Sequence, residues 1–344
     1  MKKRILLAMI TVVLVQACTA TKEAMINPVD QVPVSVVESI KAKYPGASDI
    51  KYSVLETDKV YQANFRLDGN ELAVVTNTNQ ILNTTKYLGR TFSDSLRNKM
   101  SGLGIESGAL SNYRVLEVPG QSVRHVADYS LRGSNYSLTI DATGMIDMAS
   151  RQVSFETRSV ADLPEKIQAF ISARSKANYE YISKLPLLQQ ELKDYLKDKQ
   201  EFVFTSSTAY LLPDNSKQYQ VYVKFYGITD LPLIFDENSN LIWIGSFNRL
   251  ESLTNFDDLT GGLSNVSQQD LNYFADQFKA SSELKDYQLD VRPSSSQAAL
   301  NVYENHTGYQ FHISKPSVNS TESWVLRYDS KRKLIDSYYS GQQR

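Results

Sequence analysis

The sequence has few residues of the kinds that usually build reactive centres. Among its 344 residues there is one cysteine, Cys18, and there are three histidines, His125, His306 and His312. A single thiol excludes an internal disulfide and a thiolate metal site. The histidine spacing matches no zinc motif, and no glycine-rich phosphate loop or Gly-x-Ser-x-Gly motif occurs. No Ser-x-x-Lys lies in a convincing site context. We therefore expect no catalytic centre, no metal and no cofactor.

An excess of positive charge is also missing. The chain has 37 Lys and Arg against 38 Asp and Glu, a formal net charge of −1. Three of the basic residues are Lys2, Lys3 and Arg4, and without them the chain has 34 basic and 38 acidic residues. No basic stripe is left to neutralise a phosphate backbone, so we do not expect nucleic acid as a partner.

The N-terminus has the three parts of an export signal. After the basic residues, the apolar run from Ile5 to Val15 is too short to cross a bilayer core of roughly 30 Å but suits a signal peptide. The following segment, Leu14-Val15-Gln16-Ala17-Cys18, resembles the bacterial lipobox, although Gln16 is a less usual residue at its place. The resemblance implies that residues 1–17 are a cleaved signal peptide and that Cys18 is acylated.

The residues after the cysteine indicate where the protein is held. Residues 18–30 are small, polar and weakly patterned, which is typical of a tether. In lipoprotein sorting of the enteric type, Thr19 instead of Asp after the cysteine implies outer-membrane delivery. We therefore expect a lipoprotein of the cell envelope that contacts the membrane through a lipid anchor at Cys18.

Four similar turns recur along the rest of the chain. Each has an apolar residue, an Asp or Thr that can accept backbone N–H bonds, further polar residues, and Ile or Leu six places after the first. The turns are Val75–Ile81, Ile140–Ile146, Phe235–Leu241 and Tyr328–Leu334. Their fifth positions are Asn79, Gly144, Ser239 and Arg332. Because Asn and Gly tolerate left-handed backbone better than Ser or Arg, we expect the last two turns to differ.

Each turn follows an alternating strand, and each strand follows a stretch with helical spacing of apolar residues. In the third copy, for example, Leu163, Ile167 and Phe170 precede Tyr219, Val221 and Val223. The pattern predicts the α+β class, with tandem repeats of one helix and a roughly four-stranded antiparallel sheet, helices packed on one sheet face. The predicted repeats are 31–90, 91–158, 159–250 with a helical insertion, and 262–344.

The first copy also carries a family resemblance. Its segments Val32-Pro33, Tyr44-Pro45-Gly46-Ala47, Val60–Phe65 and Val75–Ile81 resemble the PepSY-like family of secreted Bacteroidetes proteins. That family is related in fold to the beta-lactamase inhibitory protein, in which tandem helix-plus-four-strand units grip a protein with an exposed sheet face. The resemblance implies a non-catalytic binding protein, inhibitor-like in mode, whose partner is a protein or peptide.

Aromatic residues are abundant, with 21 Tyr, 13 Phe and 2 Trp. Tyrosine suits interfaces because it offers a rigid surface with a polar tip, although it is also a common strand residue. The candidate partner-binding residues on the sheet face opposite the core are Tyr222, Tyr338 and Tyr339. Trp243 and Trp324 are expected in the core or at its rim. The same aromatics leave open an alternative, an envelope lipoprotein that binds glycans or another small ligand.

Two acidic segments offer weaker alternatives. Asp257 and Asp258 are the best candidates for a glycosidase-type carboxylate pair, but they read more simply as a solvated loop. Asp236-Glu-Asn238-Ser-Asn240 mimics the start of a calcium loop, yet it lacks the Gly at position six and the Glu at position twelve that such a loop needs. We expect a turn there.

Overall fold

The structure is a computed structural model. It describes residues 32–89, 92–174, 202–225, 228–244, 268–282, 284–289, 296–301, 306–315, 317–329 and 331–343. The described residues form four α-helices: α1 Val34–Lys43, α2 Asp94–Asn98, α3 Glu165–Arg174 and α4 Gln268–Ala280. A 3-10 turn, Val160–Asp162, precedes α3.

Eighteen strands complete the described elements. Strands β1 to β9 are Ser48–Glu56, Val60–Leu67, Asn70–Thr76, Ile81–Gly89, Ala109–Glu117, Arg124–Leu131, Ser134–Ile140, Ile146–Ala149 and Gln152–Thr157. Strands β10 to β13 are Phe202–Leu211, Lys217–Phe225, Ile228–Phe235 and Leu241–Ile244. Strands β14 to β18 are Gln288–Leu289, Ser296–Asn301, His306–Lys315, Ser320–Tyr328 and Leu334–Gln343.

The strands form two antiparallel sheets. The large sheet has 13 strands in the order β1-β2-β3-β4-β5-β6-β7-β8-β18-β17-β16-β14, with β15 also paired to β16. The small sheet has five strands in the order β13-β12-β11-β10-β9. The chain changes sheets between β8 and β9, where only Ser150 and Arg151 separate the two strands.

The predicted fold class is therefore wrong. The described part of the chain is mostly β-structure, and its strands do not divide into separate four-stranded sheets that each follow one helix. Strand β4 pairs with β5, and β8 pairs with β18 far along the chain, so three of the predicted repeats share one sheet. Strand β9, inside the predicted second repeat, pairs instead with β10 of the third.

Unpaired edges give the physical reason. A four-stranded sheet has two edge strands with free N–H and C=O groups, and pairing them edge to edge satisfies those groups. Period-two alternation in a sequence shows which face of a strand is buried, but it contains no information about which edges will meet. The helix prediction also needs correction, because α2 is only five residues long, although Ser93 caps it by accepting from the Leu96 amide at 3.3 Å.

Helices α1, α2 and α4 lie on one side of the large sheet, and the small sheet with α3 lies on the other. On the outer side, α1 covers Ala63, Phe65 and Val74 through Ile40. On the same side, Phe274 and Phe278 of α4 share the largest core with strands β6–β8 and β16–β18. Trp324 is buried there, and Trp243 is buried in the small sheet, as expected of both.

The inner face is the side of the large sheet that lacks helices α1, α2 and α4. The small sheet lies against it, since Val75 of β3 shares a core with Leu163, Ile167 and Phe235. Asn83 of β4 also donates to the Ser154 carbonyl of β9 at 3.3 Å. The face expected to be free for binding is thus partly covered, and what remains open is a cleft between the two sheets.

The recurrent turns behave as the sequence predicts in their capping. The carboxylates of Asp141, Asp236 and Asp329 each accept backbone N–H groups two and four residues later. The expectation for the fifth position is wrong, because Ser239 and Arg332 adopt positive φ just as Gly144 does. The first turn is the different one: Asn77 accepts from the amides two and three residues later, which makes that loop one residue shorter.

Candidate functional site: a polar cleft between the two sheets

The intersheet cleft is a cavity of about 450 Å³ between β5–β7 of the large sheet and the start of β9 with the end of β10. Its walls combine hydroxyl and amide groups with a short apolar ledge. The lining includes Ser111, Asn135, Ser137, Gln152, Leu212 and Pro213. A volume of this size lies in the usual range of ligand sites, roughly 300–1,000 Å³.

A smaller cavity, the arginine pocket, opens from the same cleft. It has a volume of about 120 Å³ and shares Ser137, Gln152 and Leu211 with the larger cavity. Its floor is the inner face of the large sheet, and Val153 and Ser154 of β9 form the opposite wall. Polar residues of the floor include Gln62, Asn83, Thr85, Arg114, Arg124 and Thr139.

Strand pairing brings the two arginines together. Arg114 of β5 lies opposite Val126 of β6, and Arg124 lies opposite Leu116. The two arginines are therefore diagonal neighbours on one face, a separation of roughly 7–8 Å that long side chains can bridge. Both arginines line the arginine pocket, so two positively charged residues border one small cavity.

Each arginine has one carboxylate partner. Arg114 Nη1 contacts Asp128 Oδ1 at 2.7 Å and also donates to the Asn112 carbonyl at 2.9 Å. Arg124 Nη2 contacts Glu156 Oε1 at 2.8 Å. The four charges cancel, so the pocket is neutral overall.

The arginines nevertheless keep unused hydrogen-bond donors. Arg114 is only 5% exposed, and its Nη2 has no hydrogen-bond partner among the described residues. Arg124 Nε is likewise buried and without a partner in the described part of the chain. A buried donor left unpaired costs about 1–3 kcal/mol, so both arginines lower the stability of the folded protein at these atoms.

A second arginine cluster lies nearby and is built differently. Arg151 and Arg327 each contact Oδ2 of Asp336 at 3.0 Å, and the Asp336 side chain is 1% exposed. Arg151 also donates to Gln218 and Gln220 and stacks over the Tyr210 ring, with 3.8 Å between Cζ and the ring centroid. This cluster joins the small sheet to β18 of the large sheet.

Of the three tyrosines predicted to bind a partner, the structure places one on the surface. Tyr339 is completely buried, and its hydroxyl donates to Glu322 Oε2 at 3.1 Å. Tyr222 is half-buried between the sheets, where burial raises the pKa of its hydroxyl to about 12. Tyr338 is 37% exposed. Adjacent strand residues point to opposite faces, which is why Tyr338 and Tyr339 cannot share a surface.

The remaining candidates from the sequence are histidines and acidic residues. No group of three or more His, Cys, Asp or Glu is positioned there to hold a metal ion. His125 Nδ1 lies 2.7 Å from the Tyr113 hydroxyl, and His312 Nε2 lies 2.9 Å from Gln310 Nε2. The Asp236 carboxylate accepts hydrogen bonds from the turn amides and from the Asn240 side chain.

Several sequence predictions fall outside the described residues. They are the signal peptide and tether with the lipidation candidate Cys18, the helical insertion predicted in the third repeat, the pair Asp257 and Asp258, and the side chain of His306. The helices of the described part include none long and apolar enough to span a membrane.

Sequence reasoning missed the arginines of both clusters. A signal for them was present, because Arg114 and Arg124 interrupt strands whose other residues are mostly uncharged, as in Asn112–Val115 and Val123–Ala127. The sequence could not show that β9 would close over them, since that contact follows from the change of sheets after β8.

Three solved structures from Bacteroides are similar to part of this chain. A DUF2874 family protein of Bacteroides uniformis ATCC 8492 aligns with 33% of this chain and 86% of its own, at 18% identity and a TM-score of 0.30. A DUF2874 family protein of Bacteroides ovatus ATCC 8483 aligns with 33% and 82%, at 22% identity and 0.29. A protein of Bacteroides eggerthii DSM 20697, provisionally described as periplasmic, aligns with 33% and 84%, at 18% identity and 0.30.

Other comparisons add no family. A scan against models of protein families finds no match to this chain, and a search of curated proteins finds none. None of the three solved structures is described as PepSY-like. The resemblance to that family therefore stays a prediction from the sequence.

Proposed function

We propose that this chain is a non-catalytic protein of the cell envelope, anchored by a lipid at Cys18, that binds a protein or peptide partner in the intersheet cleft. The observation that supports it most is the cleft itself, a cavity of about 450 Å³ lined by serine, asparagine and glutamine residues that can form hydrogen bonds. Because the small sheet covers part of the inner face, the cleft is the part of that face left for a partner.

The lining favours a peptide over a glycan. Glycan sites usually present the flat face of an aromatic ring, but the two tyrosines that line the cleft, Tyr129 and Tyr136, are 1% and 8% exposed. Serine, asparagine and glutamine side chains can pair with the N–H and C=O groups of an extended peptide. Leu211, Leu212 and Pro213 offer an apolar ledge for its side chains.

A variant with a bulky side chain in the cleft tests this proposal. Ser137 lines both cavities, so Ser137→Trp would fill the space where they join. Ser314→Trp is the matched control, because Ser314 is an exposed serine of β16 in the same sheet and is absent from both linings. Full-length protein in detergent micelles would be screened against a peptide library and a glycan array.

We expect peptides to bind the wild type and the Ser314→Trp variant, with at least tenfold weaker binding to Ser137→Trp. Equal binding by all three proteins would place the ligand elsewhere and overturn the proposal. Binding of glycans alone would support the alternative of a glycan-binding lipoprotein.

The anchor has its own test. Cys18→Ala removes the thiol that acylation requires, so we expect the variant to leave the membrane fraction on cell fractionation while circular dichroism shows an unchanged fold. Stable membrane retention of Cys18→Ala would contradict lipid anchoring at this residue.

A further inference from the structure

Two arginines that line one small cavity favour the binding of an anion there. Arg114 and Arg124 are diagonal neighbours on the inner face, and both line the arginine pocket. Their carboxylate partners leave Arg114 Nη2 and Arg124 Nε buried and unpaired within the described structure. We propose that the arginine pocket is an oxyanion subsite that takes a carboxylate carried by the bound peptide, an inference that rests on the proposed function.

The space fits such a group. One water needs roughly 10–15 Å³ of cavity measured in this way, so a pocket of about 120 Å³ has room for a carboxylate and one or two carbon atoms. Arginine binds planar carboxylates through parallel N–H donors. Thr85, Thr139 and the amide of Gln62 line the same pocket and can add further hydrogen bonds.

Charge balance favours a carboxylate over a phosphate. Asp128 and Glu156 already neutralise the two arginines. A single negative charge beside the arginines would meet little repulsion, whereas the larger charge of a phosphate would meet both resident carboxylates at close range. Asp147, on β8 of the same face, interacts with the Arg124 charge and adds to the repulsion.

The site also explains why Arg114 can stay buried with a free donor. The unpaired Nη2 lowers the stability of the empty protein, and a ligand carboxylate would remove that cost on binding. Anions should therefore raise the unfolding temperature in a saturable way, because a ligand that binds only the folded state stabilises it by mass action.

The experiment measures thermal unfolding of the full-length protein in micelles at constant ionic strength. Sodium acetate is the carboxylate probe, inorganic phosphate the competing oxyanion, and acetamide the uncharged analogue of acetate. Arg124→Gln removes one donor group at a side chain that is 22% exposed, so the variant should still fold. Arg66→Gln is the control, since Arg66 of β2 also lies on the inner face of the large sheet and pairs with Glu71 at 3.4 Å. Arg66 is 65% exposed and lies outside the pocket.

We expect acetate to raise the unfolding temperature of the wild type and of Arg66→Gln with the same midpoint concentration. Loss of hydrogen bonds to a charged group should raise that midpoint by about ten- to a hundredfold in Arg124→Gln. Acetamide should have no saturable effect. A saturable effect stronger with phosphate than with acetate, no saturable effect of acetate, or an equal loss in Arg66→Gln would each overturn the carboxylate subsite.

The two proposals can fail separately. If acetate binds the arginine pocket but no peptide binds the cleft, the subsite stands without the proposed function. If peptides bind with no preference for an acidic side chain or a free C-terminus, and Arg124→Gln binds them as tightly as the wild type, the cleft stands without the subsite.

Discussion

The two arginine clusters contain the same residue type but differ in how completely the arginines are hydrogen-bonded. Arg151 and Arg327 converge on Asp336, and glutamines and aromatic rings take up their other surfaces. Arg114 and Arg124 have separate carboxylates, share a cavity and keep buried N–H groups without partners in the described structure. The first arrangement joins two sheets, whereas the second leaves room for an additional acceptor.

The comparison teaches that burial of an arginine does not by itself indicate its role. The Arg114 and Arg151 side chains are 5% and 7% exposed, which is practically the same. What differs is whether the protein supplies all the acceptors. A complete set indicates a structural link, and an incomplete set beside a cavity indicates a place for a ligand.

The largest expected effect comes from removing the shared carboxylate of the structural cluster. Asp336→Ala would leave the buried Arg151 and the partly buried Arg327 without their shared counter-charge. Breaking a buried pair in this way costs about 3–5 kcal/mol. Urea unfolding followed by tryptophan fluorescence measures it, and Trp243 reports directly because Arg327 Cζ lies 4.9 Å from its ring centroid.

The control for that variant is Glu71→Ala. Glu71 is 64% exposed and pairs with Arg66 on the surface, a type of pair that contributes about 0–1 kcal/mol. If Asp336→Ala lost no more stability than Glu71→Ala, the view of this cluster as the link between the sheets would be wrong.

An intermediate effect separates the two clusters directly. Arg114→Met keeps the side-chain volume, removes an unpaired buried donor and frees Asp128, which is 43% exposed and can be hydrated. Replacing a buried charge by a well-packed apolar residue is often neutral or stabilising, so we expect the free energy of unfolding to change by less than ~1 kcal/mol.

Arg151→Met is the matched substitution in the structural cluster. It leaves the side-chain oxygens of Gln218 and Gln220 without their donor and removes the ion pair with Asp336. We therefore expect the free energy of unfolding to fall by roughly 3 kcal/mol. Equal losses in the two variants, measured by the same urea titration, would remove the distinction between the clusters.

The smallest effect concerns pH and a residue between the clusters. Burial raises the pKa of the Asp147 carboxyl above its ordinary value of 3.8, although hydrogen bonds from Tyr338 and Ser340 act to lower it. The folded protein thus binds this proton more tightly than the unfolded chain does. The resulting stabilisation is fully present below pH 3.8 and is lost as the pH rises through the raised pKa.

Asp147→Asn stays uncharged at every pH. We expect it to unfold at a higher temperature than the wild type at neutral pH and at the same temperature below pH 3.8. Asp276→Asn, at an exposed aspartate of α4, controls for a general change in net charge. A difference from the wild type that did not vary with pH would show that the charge of Asp147 is not the cause.

Local features followed from the sequence because their causes are local. The carboxylates of Asp141, Asp236 and Asp329 cap their own turns, and the apolar spacing of Leu163 and Ile167 places both in a core. The positive φ of Ser239 and Arg332 was not foreseen, because the turn's hydrogen bonds impose that backbone against the preference of the residue.

For the candidate site, the sequence allows a prediction of which strand face carries the arginines, but not of how the site is closed. Alternation in β5 and β6 puts Arg114 and Arg124 on the side opposite Tyr113 and Ala127, and that much is visible in the sequence. Which strand would stand across from them is not visible. The PepSY-like comparison led instead to an open sheet face and to three tyrosines, of which one, Tyr339, lies in the core.

The sequence by itself determined which side of each strand is apolar, where the chain turns, and which residues form the cores, since these depend on neighbours within a few positions. Only the tertiary structure decided that β4 joins β5, that β8 joins β18, and that β9 crosses to the small sheet. Pairing between distant edges depends on the whole arrangement of strands. That arrangement completes the acceptors around Arg151 and leaves those around Arg114 incomplete.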